Sequence, residues 1–460
     1  MVATVGAGAA FGTTSDPEAT DASEKVIIDA DMGQLNDDAL AMFALLNDEN
    51  TEVLGVTTVA GNTWVEEGTA YSLKQLEIVG HTEVPVIQGA GGPLMGDRQA
   101  QLEAEQMLWG NSEYIGAWSR ERPSSYLELA NAPYQGYPET EPLDVNAVDF
   151  IVDSVKANPG EVTLFVLGPA TNIALAVKTY PEIVPLVKQV IYMGGAIDIP
   201  GNTTPAAEFN WWFDPEAIKI TLNTPFERQL VVPNDIAERV YYTKDIYDRV
   251  IEGERTPVRQ MFIDQHGPRF EADPDRQSYV WDLLTAAVFI DPSIATDVQE
   301  RYIDIDVNYG PNYGRSIGYH ESRNRDFDDP SNFPPHTQKV EILFDIDREA
   351  FADFYVEYVG GLGSGGEQPP GEPTTEPTSE PTGEPTDEPT GEPTTEPSSD
   401  GTRTPTTDPS EDGTGGSDGG TDAGGNLPST GAGVLPVIIT ALALLGAAVA
   451  LLAVRRRAER

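Results

Sequence analysis

One stretch, residues 25–46 (KVIIDADMGQLNDDALAMFALL), constrains this chain more than any other. A short apolar run, 26–28, ends in Asp29 and Asp31; a turn passes through Gly33, and Asp37 and Asp38 then open an apolar run at helical spacing. The pattern predicts a strand, an acidic loop and a helix. Carboxylates crowded at the end of one strand raise one another's pKa unless a cation neutralises them. The nearby donors are all oxygens and the chain has no cysteine, which favours a hard ion, calcium or magnesium, over zinc.

Other readings of the same residues must be weighed. Asp and Glu supply 75 of 460 residues, so acidic pairs arise by chance, and Asp37 can serve as a plain N-cap with Asp38 favouring the helix dipole. An EF-hand is excluded, because the twelfth loop position counted from Asp29 must be a bidentate glutamate and is Leu40. A phosphoryl-transfer site with Asp29 as nucleophile and Asp31 as acid stays open, but it leaves Asp37 and Asp38 without a role.

Later strand ends deliver further polar residues. The run 52–59 leads to Gly61 and Asn62; 162–167 leads to GPATN with Thr171; 189–193 ends at Met193 before two glycines; 228–232 leads to Asn234 and Asp235. Between the last two lies GNTTPAAEFN, carrying Asn202, Glu208 and Asn210, before a helix begun by Asp214. Such repetition suits an open, mostly parallel α/β sheet flanked by helices, with one site above its carboxyl edge. Helices are predicted at 65–79, 145–157 and 348–358, a strand at 340–344, and a surface loop over 306–335. The segment 95–140, with Trp109 and Trp118, has few regular signals and reads as a rim or lid. The turn GAGGPL at 89–94 lacks the spacing of a phosphate loop.

Net charge is −47, so nucleic acid and anionic membranes are not expected partners. Residues 1–24 are small and then acidic, and read as a secretion-signal remnant and linker. The core domain is placed at 25–360, followed at 361–425 by Glu-Pro-Thr repeats that read as a disordered stalk. Residues 426–460 contain Leu427, Pro428, Ser429, Thr430 and Gly431, then an apolar run at 434–454, then three arginines. The run is long enough for a transmembrane helix with its basic end in the cytoplasm. Pentapeptide, span and basic tail resemble the cell-wall sorting signal of Gram-positive bacteria. That resemblance implies a sortase and peptidoglycan as partners, with the globular part facing outward. Association with a second copy of the chain is left open.

Several motifs resemble, in order, those of the nucleoside hydrolase family of the inosine-uridine preferring type: DADMGQLNDDALA, TTVAGN, VPVIQGAGGPL, LGPATNIALA, YMGGA, GNTTPAAEFNWWFDPEA, VPNDIA and WDLLTAAVFIDP. The resemblance implies a single α/β domain, a bound Ca²⁺, and hydrolysis of the N-glycosidic bond of ribonucleosides. It assigns the metal to Asp31, Asp38, the Thr171 carbonyl and Asp282, with Asp31 also taking the proton of the attacking water. Asp37 would bind ribose hydroxyls, Asp29 would support from behind, and Asn202, Glu208 and Asn210 would hold the ribose beside Met193 and Asn62. Two departures stand out. The loop 33–37 is longer than the compact form through Gln34, Leu35 and Asn36, and Trp281 precedes the last carboxylate where the inosine-uridine enzymes have a histidine. The tryptophan resembles the purine-specific branch, in which it stacks on the base. Among the four histidines, His266 is the candidate replacement acid. A calcium-dependent receptor that binds nucleosides without cleaving them is the non-enzymatic alternative.

Overall fold

The strands, several of them short runs rich in β-branched residues, are β1 (Glu24–Ala30), β2 (Thr51–Thr58), β3 (Val86–Gln88), β4 (Val162–Val166), β5 (Val187–Met193), β6 (Gln229–Val232), β7 (Tyr241–Tyr242), β8 (Ser278–Tyr279), β9 (Ala295–Ile305), β10 (Ser316–Gly318) and β11 (Gln338–Ile346). The computed structural model describes residues 23–362 except 36, 97, 111–113 and 323–324. The leader, the stalk from 363 onward and the sorting signal with its apolar run lie outside the described residues. Among the described residues no helix is long and apolar enough to cross a membrane.

Nine strands form one sheet in the order β10-β9-β11-β6-β5-β4-β1-β2-β3, while β7 and β8 form a separate antiparallel ribbon. From β3 to β11 every pairing is parallel; β9 runs antiparallel to both β11 and β10. Strands covered on both faces need apolar residues at every position. Accordingly Val26, Ile28 and Ala30 of β1 join one core, with the helices Asp37–Asn47 and Leu283–Ile290, while Ile27 joins the other, with Ala147–Ala157, Thr171–Thr179 and Pro215–Leu222.

The chain enters the sheet in the middle. It runs from β1 outward to β2 and β3, then returns to the opposite side of β1 for β4, β5 and β6. Loops leaving the carboxyl ends of β1 and β4 therefore diverge, and a crevice opens between them. That switch point is where Asp29, Asp31 and the GPATN turn lie.

Three expectations shift. The segment 306–335 is not wholly a loop, because Ser316–Gly318 pairs with Ile303–Ile305 of β9 at the sheet edge. β9 itself gave no strand signal: its sequence, ATDVQERYIDI, is charged over a half-exposed stretch. The C-terminal helix stops at Phe354 and widens into a π-helical turn, Tyr355–Val359, which seats buried Tyr355 face to face with Tyr242, ring centroids 5.3 Å apart.

Candidate active site

Asp31, just past β1, is fully buried, and two glycines make room for it. A side-chain carbon at Gly61 would lie 2.0 Å from Asp31 Oδ2, and one at Gly168 would lie 2.8 Å from Asp31 Cγ. Any other residue at either position would displace the carboxylate. Asn62, next to Gly61, holds it from the main-chain N to Oδ2 at 2.5 Å and from Nδ2 to Oδ1 at 3.2 Å.

Asp29, two residues earlier on β1, is also fully buried. Its Oδ1 accepts from Thr57 Oγ1 at 2.6 Å and from Asn172 Nδ2 at 2.7 Å. Asn172 also donates to the Thr58 carbonyl and accepts from Ala90 N, tying β1, β2 and the helix Thr171–Thr179 together. Burial pushes the Asp29 carboxyl up to about 7 despite these bonds.

The helices Asp37–Asn47 and Leu283–Ile290 pack together, bringing Asp37 and Asp38, in the first turn of one, beside Asp282, the N-cap of the other. Oxygens of these three carboxylates lie within 4.8 Å of one another. Burial first, and then Asp37, Asp38 and Asp31, push the Asp282 carboxyl well above its ordinary value. Burial, with Asp37 close by, pushes Asp31 up to about 8. Among the described residues no lysine or arginine pairs with Asp31 or Asp282, and the buried Asp282 Oδ1 has no hydrogen-bond donor. Helix N-termini offset part of this charge. The remainder needs protons or a cation, and an all-oxygen set fits a hard divalent ion. Asp37 therefore belongs to the carboxylate cluster. The hydroxyl of Thr171 donates to Asp214 Oδ2 at 2.7 Å.

Near enough to Asp31 to act on its charge, Glu208 caps the helix Phe209–Phe213: Oε1 accepts from Asn210 N and Oε2 from Trp211 N and Gly195 N. Gly195, at φ 84°, lies against the Trp211 ring, where a side-chain carbon would come within 2.7 Å. Burial pushes Glu208 up to about 7. Asn210 Nδ2 bridges the carbonyls of Leu167 and Met193, joining the ends of β4 and β5, and Asn202 Oδ1 accepts from Phe209 N. The other amide atom of each asparagine is the one that could meet a sugar hydroxyl. Trp281 is half-buried against the core and edge-on to Tyr279, 5.7 Å between ring centroids.

His266 does not suit the role of acid. Burial and then Arg269 and Arg276 push it down to about 4, so it is neutral at neutral pH, and it packs between Tyr242 and Phe262. Trp109 ends the helix Leu102–Trp109 in the rim, where its indole N–H is buried without an acceptor. Sequence reasoning missed Tyr114, whose hydroxyl donates to Asn62 Oδ1 at 2.7 Å; no periodic pattern surrounds it. It also missed Asn172, although this residue stands in the quoted GPATN turn. In the long loop, Leu35 is buried at φ 46° and Gln34 Oε1 accepts from Tyr134 N of the rim.

Over residues 26–353 the chain matches the family described as inosine-uridine preferring nucleoside hydrolase. The chain belongs to that family. This nucleoside hydrolase is 30% identical over 307 residues to the pyrimidine-specific ribonucleoside hydrolase RihB of Escherichia coli, covering 64% of this chain and 86% of the relative. It is 36% identical over 218 residues to an uncharacterized Schizosaccharomyces pombe protein, 47% of this chain but only 63% of that one. Among solved structures, the plant nucleoside hydrolase PpNRh1 superposes with a TM-score of 0.59 at 28% identity, covering 73% of this chain and 99% of the other.

Proposed function

We propose that the chain hydrolyses the N-glycosidic bond of ribonucleosides with calcium as its cation, favours purine nucleosides, and works outside the cell, tethered to the cell wall. The observation that carries the chemistry is Asp31, gripped by Asn62 beside the three clustered carboxylates of Asp37, Asp38 and Asp282. Asp31, Asp38, the Thr171 carbonyl and Asp282 would hold the cation, which when bound makes a coordinated water more acidic.

The chain's own residues supply the rest. Asp31, as a carboxylate, takes the proton of the attacking water. Its negative charge also stabilises the positive charge that develops on the sugar as the bond to the base breaks. Asp37, Asn202, Glu208 and Asn210 hold the ribose hydroxyls, with Met193 and Asn62 lining the pocket, so orientation is set before reaction. A need to satisfy both ring hydroxyls favours ribose over deoxyribose.

Trp281 supports the purine preference, because an indole stacks on a base with roughly 1–3 kcal/mol and a larger ring gains more contact. A second reading, pyrimidine nucleosides, draws on the name of the Escherichia coli relative. The sorting signal at 427–431 supports the location. A panel of inosine, adenosine, guanosine, uridine and cytidine, assayed for free ribose with calcium and then with a chelator, tests the proposal. Calcium-dependent ribose release, fastest from purines, is expected. Faster release from uridine and cytidine selects the second reading, and nucleoside binding without ribose release selects a receptor.

A further inference from the structure

Asn62 is gripped from two sides. Its main-chain N and Nδ2 face Asp31. Its main-chain carbonyl accepts from Arg120 Nη2 at 3.2 Å, and its Oδ1 accepts from the Tyr114 hydroxyl at 2.7 Å. Both of these partners come from the rim. Arg120 is itself paired with Glu67 at 2.8 Å, and its carbonyl accepts from the Trp64 indole at 3.1 Å. Tyr114 rests edge-on against Phe209, ring centroids 4.8 Å apart, at the start of the helix that Glu208 caps. Gly116 lets the rim approach this closely: at φ 55° it lies where a side-chain carbon would be 2.3 Å from the Gly61 carbonyl, while Ala117 N donates to that same carbonyl at 2.8 Å.

An asparagine amide has nearly the same shape either way round, and only its partners decide which end is N and which is O. Asp31 needs the N–H end. That carboxylate only accepts and so selects the orientation; the Tyr114 phenol, which can donate or accept, donates to the oxygen end that this leaves and ties it in place.

We infer that Tyr114 is a positioning residue for hydrolysis: by holding the Asn62 amide in one orientation, it keeps the Asp31 carboxylate aimed at the attacking water. The inference rests on the assignment of Asp31 as proton acceptor. Tyr114 is 46% exposed, so its hydroxyl can be removed without opening a core cavity.

The test is Tyr114→Phe, alone and combined with Asn62→Ala, on inosine and on 4-nitrophenyl riboside, whose leaving group needs no proton. The expected loss in kcat is roughly three- to tenfold on both substrates with KM changed less than about twofold, the scale of one neutral hydrogen bond acting at the transition state. In the Asn62→Ala background Tyr114→Phe should cost nothing more. An undiminished loss in that background, a loss confined to inosine, or no loss at all overturns the proposal; the second result would place the phenol at the departing base. An active Asp31→Ala enzyme would instead overturn the assignment beneath it.

Discussion

Two regions of this protein bury charge, and they treat it in opposite ways. In the rim, Arg98 and Glu105 are each only 2% exposed and pair at 2.7 Å. Arg98 Nη1 donates to the carbonyls of Trp212 and Phe213, and its guanidinium lies 4.5–5.3 Å from the rings of Tyr313, Trp212 and Trp118. Glu105 Oε2 accepts from the Trp212 indole. At the switch point, by contrast, Asp37, Asp38 and Asp282 crowd together beside Asp31. The rim charge meets its counter-charge within the chain, whereas at the switch point, among the described residues, no lysine or arginine pairs with Asp31 or Asp282. The first pair is costly to break even where, intact, it adds little net stability, and crowding carboxylates as the second region does lowers stability.

The largest expected break in this comparison is Asp31→Ala. If the switch-point carboxylates serve chemistry, ribose release should fall about 10³-fold, the scale of losing a general base, with the folded state retained by circular dichroism. Retained turnover would remove the distinction between the two regions.

Arg98→Met tests the other side. It strands Glu105 in the interior, so unfolding should become easier by about 3–5 kcal/mol in urea titration, with kcat per folded molecule unchanged. Replacing both partners, Arg98→Met with Glu105→Leu, should recover most of that loss. If the single variant is as stable as the parent, the rim pair is ornamental.

The unequal visibility of these two regions in the sequence has a physical cause. The acidic cluster announces itself because Asp29, Asp31, Asp37 and Asp38 are near neighbours in the chain, and strand ends at Asn62, Met193 and Asn234 punctuate apolar runs as a parallel sheet requires. Asp282 has no such neighbour; only the resemblance to a family located it, and the fold joins it to Asp38 through packing of two helices. The Arg98 box was illegible, because its parts are 98, 105, 118, 212 and 313 and nothing local relates them. Tyr114 was missed for the same reason. The edge strand β9 escaped because a half-exposed strand with charges at alternate positions resembles a polar loop.

A third test uses pH. In the cation-free protein the carboxyls of Asp31, Asp29 and Glu208 titrate at about 8, 7 and 7, above their unfolded values near 4. The folded state then binds more protons than the unfolded state across that interval. Stability from these groups is therefore present below about pH 4 and is lost progressively as pH rises through about 7–8. A cation binds the deprotonated form and reverses the trend. Chelation should lower the unfolding free energy, read by urea titration, more at about pH 8 than at about pH 5, by as much as about 2.7 kcal/mol if the ion was present at a hundred times its Kd. Equal shifts at both pH values would mean that the ion binds elsewhere.

The smallest effect sharpens the comparison most, because it reverses the usual sign of a core substitution. Asp282→Asn keeps the shape of a buried side chain but removes the cost of charging or protonating a carboxyl that burial, and then Asp37, Asp38 and Asp31, push well above its ordinary value. In chelator at about pH 8 the variant should be more stable than the parent by about 1 kcal/mol, the range in which stability and function trade at active sites. With calcium added, the order should invert, since the parent gains a ligand that the variant holds poorly. A buried amide left without partners would work against the gain. Only a repulsion larger than that cost produces a net stabilisation, and a variant less stable than the parent in chelator would show that the helix N-termini and hydrogen bonds already compensate the cluster, as Arg98 compensates Glu105 in the rim.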